Sequence, residues 1–491
     1  MFSPETALEE IANTLAHFDR AATIAWCARL NALDQSDLTK NGQQDALTRT
    51  MFSDDPDSAL EALGGKRSDP DRWEYGLNRQ PLLELIRWAT VLDEGTRTPV
   101  TPESRRAIVS AAQKAGQLAI YRTFAAHGED FPENPTRSEE LRLGLTLFRV
   151  MGQFQKRTAG ADLLAARTRM MMRGFFDTGW QAAFQRATGL DPEDYAAGTL
   201  FILDLAGNRD ATGMPSIRIS REDIVARLGR VPSRLETFLD WISRDLADLR
   251  IELLRKVHTE GQPIPPLLPF DSTPLRAKPL VRLPDGSRLL VDREFLEDKL
   301  WLSMFDMIGV EHNAARVLGH FGKSIEKYVA RLLESIAARG SVKQTCQVLR
   351  NPMESDGREI ADIAMRCGQA LVLFEVKSSW INEASLREGT RDYHDTLIAK
   401  FANPGAQRQG VTQLANSIRR LARGEARPKQ AALFSARKVY PVLVVQDEQL
   451  TQFRHEEALA GWFREHLAPD AELRWGEPFF ETRRDCASAV R

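Results

Sequence analysis

The chain has 491 residues, 43% of them hydrophobic and 27% charged, with a formal net charge of -2 at pH 7. This length predicts two to four domains with ample core, and so even a charge balance leaves any preference for a charged partner to local segments. No apolar run approaches the roughly 18 residues that span a bilayer, which excludes a helical membrane protein.

The opening stretch "MFSPETALEEIANTLAHF" carries acids where a secretory signal carries bases, and it reads as a helix with Ser3 as cap and Pro4 in the first turn. A cytoplasmic location is therefore expected. Residues 1–195 read as a mostly helical domain. In "QPLLELIRWATVLD" the side chains Leu82, Leu85, Ile86, Ala89 and Leu92 share one helical face. Residues 196–258 also read as helical, and "SREDIVARLGRVPSRLETFLDWI" has helix-turn-helix rhythm, with Gly229 near the turn and Ala226, Leu228, Val231, Leu235 and Leu239 as expected core. A DNA-reading module and two ordinary helices joined by a tight turn share that pattern.

Residues 259–310 read as a Pro-rich linker, then a hairpin and helix leading into the next domain. "TEGQPIPPLLPFDSTPLRAKP" holds six prolines and suits neither a helix nor a central strand. "LVRLPDGSRLLVD" alternates about Asp285-Gly286, a hairpin signal. From 311 to 491 the expected order is α-β-β-β-α-β. It comprises a helix capped by Ser324 and ended by Gly340, a strand in "SVKQTCQVLR", a hairpin in "EIADIAMRCGQALVLFEVKSS", an amphipathic helix on Val411, Leu414, Ile418 and Leu421, and a strand in "KVYPVLVVQ".

The hairpin carries the chemistry. A two-residue turn at Gly368-Gln369 puts Asp362 directly opposite Glu375, and period two puts Lys377 on the same face. Opposed carboxylates repel unless something positive lies between them. A hard divalent cation, Mg2+ or Mn2+, fits oxygen donors, and an ordinary cross-strand salt bridge to Lys377 is the alternative. Zinc and a disulfide framework are not expected, because Cys27, Cys346, Cys367 and Cys486 show no C-x-x-C spacing and no H-x-x-x-H pair occurs. Glu359, three residues before Asp362, is the rival for the first carboxylate; a regular strand puts it on the opposite face, which favours Asp362, and Glu354 and Asp356 are expected as solvated turn acids.

This element order, with "EIADIAM" and "LVLFEVKSS", resembles the core of the PD-(D/E)XK nuclease superfamily, the restriction-endonuclease-like fold, over roughly 320–446. Ala361 stands where the motif's proline would be. The overall expectation is a multidomain α and α/β protein whose helical N-terminal region precedes that core. The resemblance implies that Asp362 and Glu375 hold Mg2+ with the Val376 carbonyl, that Lys377 positions or deprotonates the attacking water, that Glu326 completes the shell, and that Gln413 is the following helix's glutamine. The implied activity is endonucleolytic hydrolysis of phosphodiester bonds, most naturally in DNA, in a setting such as bacterial defence; a nucleic-acid-binding or protein-interaction scaffold retaining the fold is the alternative.

Between 401 and 440 eight bases face one acid, Glu425, a local +7. Of these, Arg408, Arg419, Arg420, Arg423 and Lys429 are expected to contact phosphates. The 380–408 insertion offers Tyr393, His394 and Lys400 as further contacts. A protein partner for the helical N-terminal region and a homodimer for double-strand cutting complete the expectations.

Overall fold

The computed structural model describes residues 3–35, 79–92, 98–125, 161–176, 180–210, 213–255, 267–269, 271–300, 314–339, 346–378, 395–402, 410–445 and 453–467, with Gln43 and Ala46 besides. They divide into two compact units, one formed largely by residues up to 311 and one by those from 312, to which Arg173–Phe175 also belong. Helices dominate, and each unit has a four-stranded mixed sheet, which makes this a multidomain α and α/β protein.

In the first unit, helix α1 (Pro4–Ala16) opens as the sequence predicts: the Ser3 side chain accepts the Thr6 N–H, and Pro4 sits where no intrahelical donor is needed. Helices α2 (Arg20–Asp34), α3 (Arg79–Val91) and α4 (Pro102–Ala125) pack with it. Helix α3 buries its apolar side chains as expected, but it also buries Arg79, Gln80, Glu84 and Arg87, because neighbours surround it. Its charges survive burial by pairing, as between Arg87 and Glu84 at 2.7 Å.

The unit continues with α5 (Ala161–Met170), α6 (Gln181–Thr188), α7 (Pro192–Ala206), β1 (Arg218–Ile219), α8 (Arg221–Leu228), α9 (Ser233–Ile242), β2 (Ser243–Asp245), α10 (Leu246–Leu254), α11 (Thr273–Ala277), β3 (Leu280–Arg282), β4 (Arg288–Leu290) and α12 (Arg293–Glu297). Helices α8 and α9 form the expected pair: a Ser220–Asp223 capping box starts α8, and Gly229, at φ 73°, ends it. The core is different from the one expected. Only Ile224 of α8 is buried, Ala226 faces solvent and Leu228 is 44% exposed, while α9 buries Phe238 and Ile242 beside Leu235 and Leu239. The arginines on this pair are matched by acids, Arg221 by Glu236, Arg227 by Asp204 and Arg234 by Asp191 and Asp194.

The sheet order is β1-β4-β3-β2, with β2 and β3 parallel and the other pairs antiparallel. The hairpin about Asp285-Gly286 therefore completes the first unit's sheet instead of leading into the next domain. The deciding contact, Ser243 with Leu280, is non-local and leaves no local sequence signal.

The second unit runs α13 (Ala314–Arg339), β5 (Cys346–Arg350), β6 (Ile363–Cys367), β7 (Ala370–Lys377), α14 (Gly410–Ala422), α15 (Ala431–Phe434), β8 (Lys438–Val445) and α16 (Phe453–Leu467). Its sheet order is β5-β6-β7-β8, with two antiparallel pairs and then a parallel one. Helix α13 starts well before Ser324, so that residue caps nothing; mid-helix, its hydroxyl donates to the His320 carbonyl at 3.0 Å. Buried Val317, Phe321 and Ile325 carry the apolar face through the expected start. One core joins Ala364, Leu371 and Leu373 of the sheet to Val411, Leu414 and Ile418 of α14 and to Leu459 and Phe463 of α16.

Cys346 and Cys367 face each other across β5 and β6 and form a disulfide, with Cα atoms 4.4 Å apart. Sequence spacing gave no sign of it, because the pairing arises from the strand register. Buried Cys27 is free, and burial pushes its thiol up to about 12.

Candidate functional site

Strand β7 buries Leu371, Leu373 and Glu375 by period two, so the apolar face of the sheet ends in a carboxylate with 0% exposure. The β6–β7 ladder has the register expected from the Gly368 turn, with Gly368 at φ 59° and Ile363 opposite Phe374. Asp362 stands one residue before that ladder, in line with Glu375. It is buried, and its Oδ2 accepts the Val376 N–H at 2.6 Å. The Asn351 N–H in turn binds the Asp362 carbonyl at 2.8 Å.

Lys377 lies in phase with Glu375, and its Nζ is 2.7 Å from Glu375 Oε1. Among the described residues neither carboxylate oxygen of Glu375, both of them buried, has a partner of full hydrogen-bond geometry. Lys377 pairs with Oε1 by charge, and among the described residues Oε2 has no counterpart.

Glu326 comes from α13. One turn earlier Gly322 lets the helix close on the end of β7: a Cβ there would stand 2.8 Å from Ser378 Oγ. Residues four apart share a helical face, which brings Glu326 into the same electrostatic neighbourhood. Burial, then Asp362 and Glu359, push its carboxyl up to about 7, against Lys377 and Lys323. Glu375 is pushed up to about 8, by burial first and by Asp362 and Glu359 as well, with Lys377 opposing. Asp362 is raised by burial, against the Val376 N–H and Lys377.

Glu359 departs from its expected place. The regular strand begins only at Ile363, so strict alternation does not extend to residue 359, and its charge acts on both Glu326 and Glu375. Gln413 is buried on α14, which packs against β7, but its side chain forms no hydrogen bond to the carboxylates.

Among the described residues no three His, Cys, Asp or Glu side chains gather tightly enough to form a metal cluster by themselves. Asp362 and Glu375 are two buried oxygen donors, and the unpartnered Oε2 of Glu375 is the feature that suits a hard cation.

The basic segment is less available than its composition suggests. Arg408, Tyr393 and His394 lie outside the described residues, and Lys400 belongs to a π-helical turn, Ile398–Ala402. Arg419 donates to Asn416 at 3.0 Å and to the His466 carbonyl. Arg420 grips Glu354 with two contacts of 2.6 Å. Glu354 is consequently a buried, paired acid and not a solvated one. Arg423 is exposed, 3.9 Å from Glu425, and Lys429 is exposed. Sequence reading missed the Arg420–Glu354 pair because 66 residues separate its members.

No family model, no curated protein and no solved structure matches the chain. What the geometry defines is a class of site: under-neutralised carboxylates at the end of a mixed sheet, with Lys377 beside them and Lys323 acting on Glu326. No helix of the described residues is long and apolar enough to cross a membrane.

Proposed function

We propose that the second unit is a divalent-cation-dependent nuclease of the restriction-endonuclease-like kind, cutting DNA. The observation that carries this reading is Glu375: fully buried and, among the described residues, with one oxygen unpartnered and the other facing only Lys377, in register with buried Asp362. A carboxylate in such a place is costly unless a cation joins it. The α-β-β-β-α-β order supports the same reading.

Asp362 and Glu375, with the Val376 carbonyl, would hold Mg2+ or Mn2+, and Glu326 would serve from α13. When bound, the ion supplies Lewis-acid stabilisation of charge on the phosphoryl oxygens. The Val376 N–H fixes the orientation of Asp362 through its 2.6 Å hydrogen bond. Lys377, partly exposed at the end of the strand, offers an ammonium to the attacking water and to the negative charge that grows in the transition state. Exposed Lys429 and Arg427 would hold the polynucleotide backbone.

The 2.7 Å contact between Lys377 and Glu375 favours a second reading, a DNA-binding scaffold in which the lysine alone neutralises the pair. Nicking of supercoiled plasmid separates the two. Cleavage is expected with Mg2+, none with EDTA, and a loss of at least about 10³-fold in Asp362→Ala and Lys377→Ala with DNA binding retained. EDTA-resistant cutting, or cutting indifferent to Asp362→Ala, overturns the nuclease reading; DNA binding with no cleavage under any divalent ion supports the scaffold.

A further inference from the structure

The segment 351–361, which leads into Asp362, is neither strand nor loose loop. It doubles back on itself: the Ile360 N–H donates to the Pro352 carbonyl at 2.8 Å, the Glu354 N–H to that of Arg358 at 2.7 Å, and Met353 bridges Glu359. Its far end is sewn to the turn after α14, where the Ser355 N–H donates to the Arg427 carbonyl at 2.9 Å and the Lys429 N–H to that of Met353 at 3.0 Å. Two side chains of α14 then hold it from beneath. Ser417 donates to the Ile360 carbonyl at 2.6 Å, and Arg420, three residues further along the helix, takes both oxygens of Glu354. The Arg427 N–H adds a third donor to Glu354 at 3.2 Å.

We propose that Arg420, through Glu354, is a positioning residue that holds the strand-entry segment so that Asp362 meets the Val376 N–H and stands in line with Glu375. The proposal rests on the nuclease reading for its purpose, not for its geometry. Arg420 and Ser417 share one face of a helix that is itself anchored in the core through Val411, Leu414 and Ile418. The grip therefore transmits a rigid reference to a stretch that has few ladder hydrogen bonds of its own. Glu359 lies between the two gripped points, Glu354 and Ile360, and only the buried Ala361 separates the second of them from Asp362, so slippage of the gripped stretch moves two acids of the site together. A bidentate guanidinium fixes direction as well as distance, which a lysine does not.

The test has a readout that needs no metal and one that does. Amide hydrogen exchange at Val376 in the metal-free full chain reports whether Asp362 still accepts its proton, with Leu373 of the same strand as internal control. Arg420→Met is expected to speed exchange at Val376 at least about tenfold while Leu373 stays protected. Mn2+ titration calorimetry is expected to show a tenfold to hundredfold weaker site, the size seen when a partner that orients a ligand is lost. Arg420→Lys should recover part of both. Should Arg420→Met fold poorly because Glu354 is stranded, the double variant Glu354→Gln with Arg420→Met removes that buried charge and carries the same expectations.

Unchanged Val376 exchange in a folded clamp variant overturns the proposal, as does loss of protection spread equally over Leu373. Selective loss at Val376 in a chain whose wild type binds no Mn2+ upholds the positioning role and overturns the metal-dependent reading of the site.

Discussion

Each unit buries a cluster of acids, and the Asp292–Glu294 cluster of the first and the Asp362–Glu375 cluster of the second are neutralised in opposite ways. In the first unit Asp292, 1% exposed, receives five donors: Arg79 through Nε and Nη2, Asn31, Gln35 and the Phe295 N–H, all within 2.7–2.9 Å. Glu294 beside it takes Arg79 Nη1 at 2.7 Å. Among the described residues of the second unit Asp362 receives one backbone N–H, and Glu375 has only Lys377 beside it. A buried carboxylate that serves the fold comes with donors enough to replace its water. One left short of donors invites a cation from outside the chain, and that shortage is the physical content of the proposed site.

Mutation sharpens the contrast most. Asp292→Ala removes the acceptor of two Arg79 hydrogen bonds and leaves that buried guanidinium under-neutralised, and it is expected to cost at least about 3 kcal/mol in denaturant unfolding of the first unit. Glu375→Gln should do the reverse in metal-free protein. The folded form of Glu375 holds its proton up to about 8 against an ordinary value near 4.5, so the penalty for its charge is absent only below about pH 4.5, grows as pH rises and is complete above about 8. Glu375→Gln should come closest to wild type below about pH 4.5 and exceed it in stability above about pH 8. Equal destabilisation by the two substitutions would erase the distinction between the clusters.

Protons offer a gentler probe. Because Glu375 and Glu326 are both raised, the folded second unit binds more protons than the unfolded chain between about pH 4.5 and about 8. Its metal-free stability should therefore fall across that interval as pH increases. A divalent cation requires the ionised forms, so Mn2+ binding at pH 7 should expel roughly one proton per site. Calorimetry in two buffers of different ionisation enthalpy measures this number. A value of zero means the acids are already ionised and adequately neutralised, and the second cluster then resembles the first.

What the sequence made legible was local. Gly368 with alternating neighbours specified the register, and the register alone brings Asp362 into line with Glu375. The N-terminal cap and the α8–α9 turn were equally local. What escaped was set by distant partners: Glu354 with Arg420, Cys346 with Cys367, and the short β2–β3 pairing that claims the Asp285-Gly286 hairpin for the first unit. Residue type and spacing give a side chain's chemistry. They do not say whether a partner many positions away has already claimed it. Glu359 failed for a related reason, since alternation was extended into a segment that is not strand.

The same distinction between claimed and unclaimed charge applies to the bases. Arg420 and Arg419 belong to the composition-derived basic surface, yet one is fixed to Glu354 and the other to Asn416 and the end of α16. Lys429 differs: its backbone is fixed to Met353 while its side chain reaches solvent beside the segment that leads into Asp362. An exposed lysine contacting phosphate contributes mainly by counterion release. Lys429→Ala should therefore weaken DNA binding by only a few fold, alike for all sequences, and lower the slope of log affinity against log salt by about one. Arg420→Met should leave that slope unchanged, because a guanidinium held by Glu354 releases no counterion from DNA. An equal drop in slope for both variants would show that the arginine leaves its carboxylate when DNA arrives, and the basic face would then be as large as its composition implies.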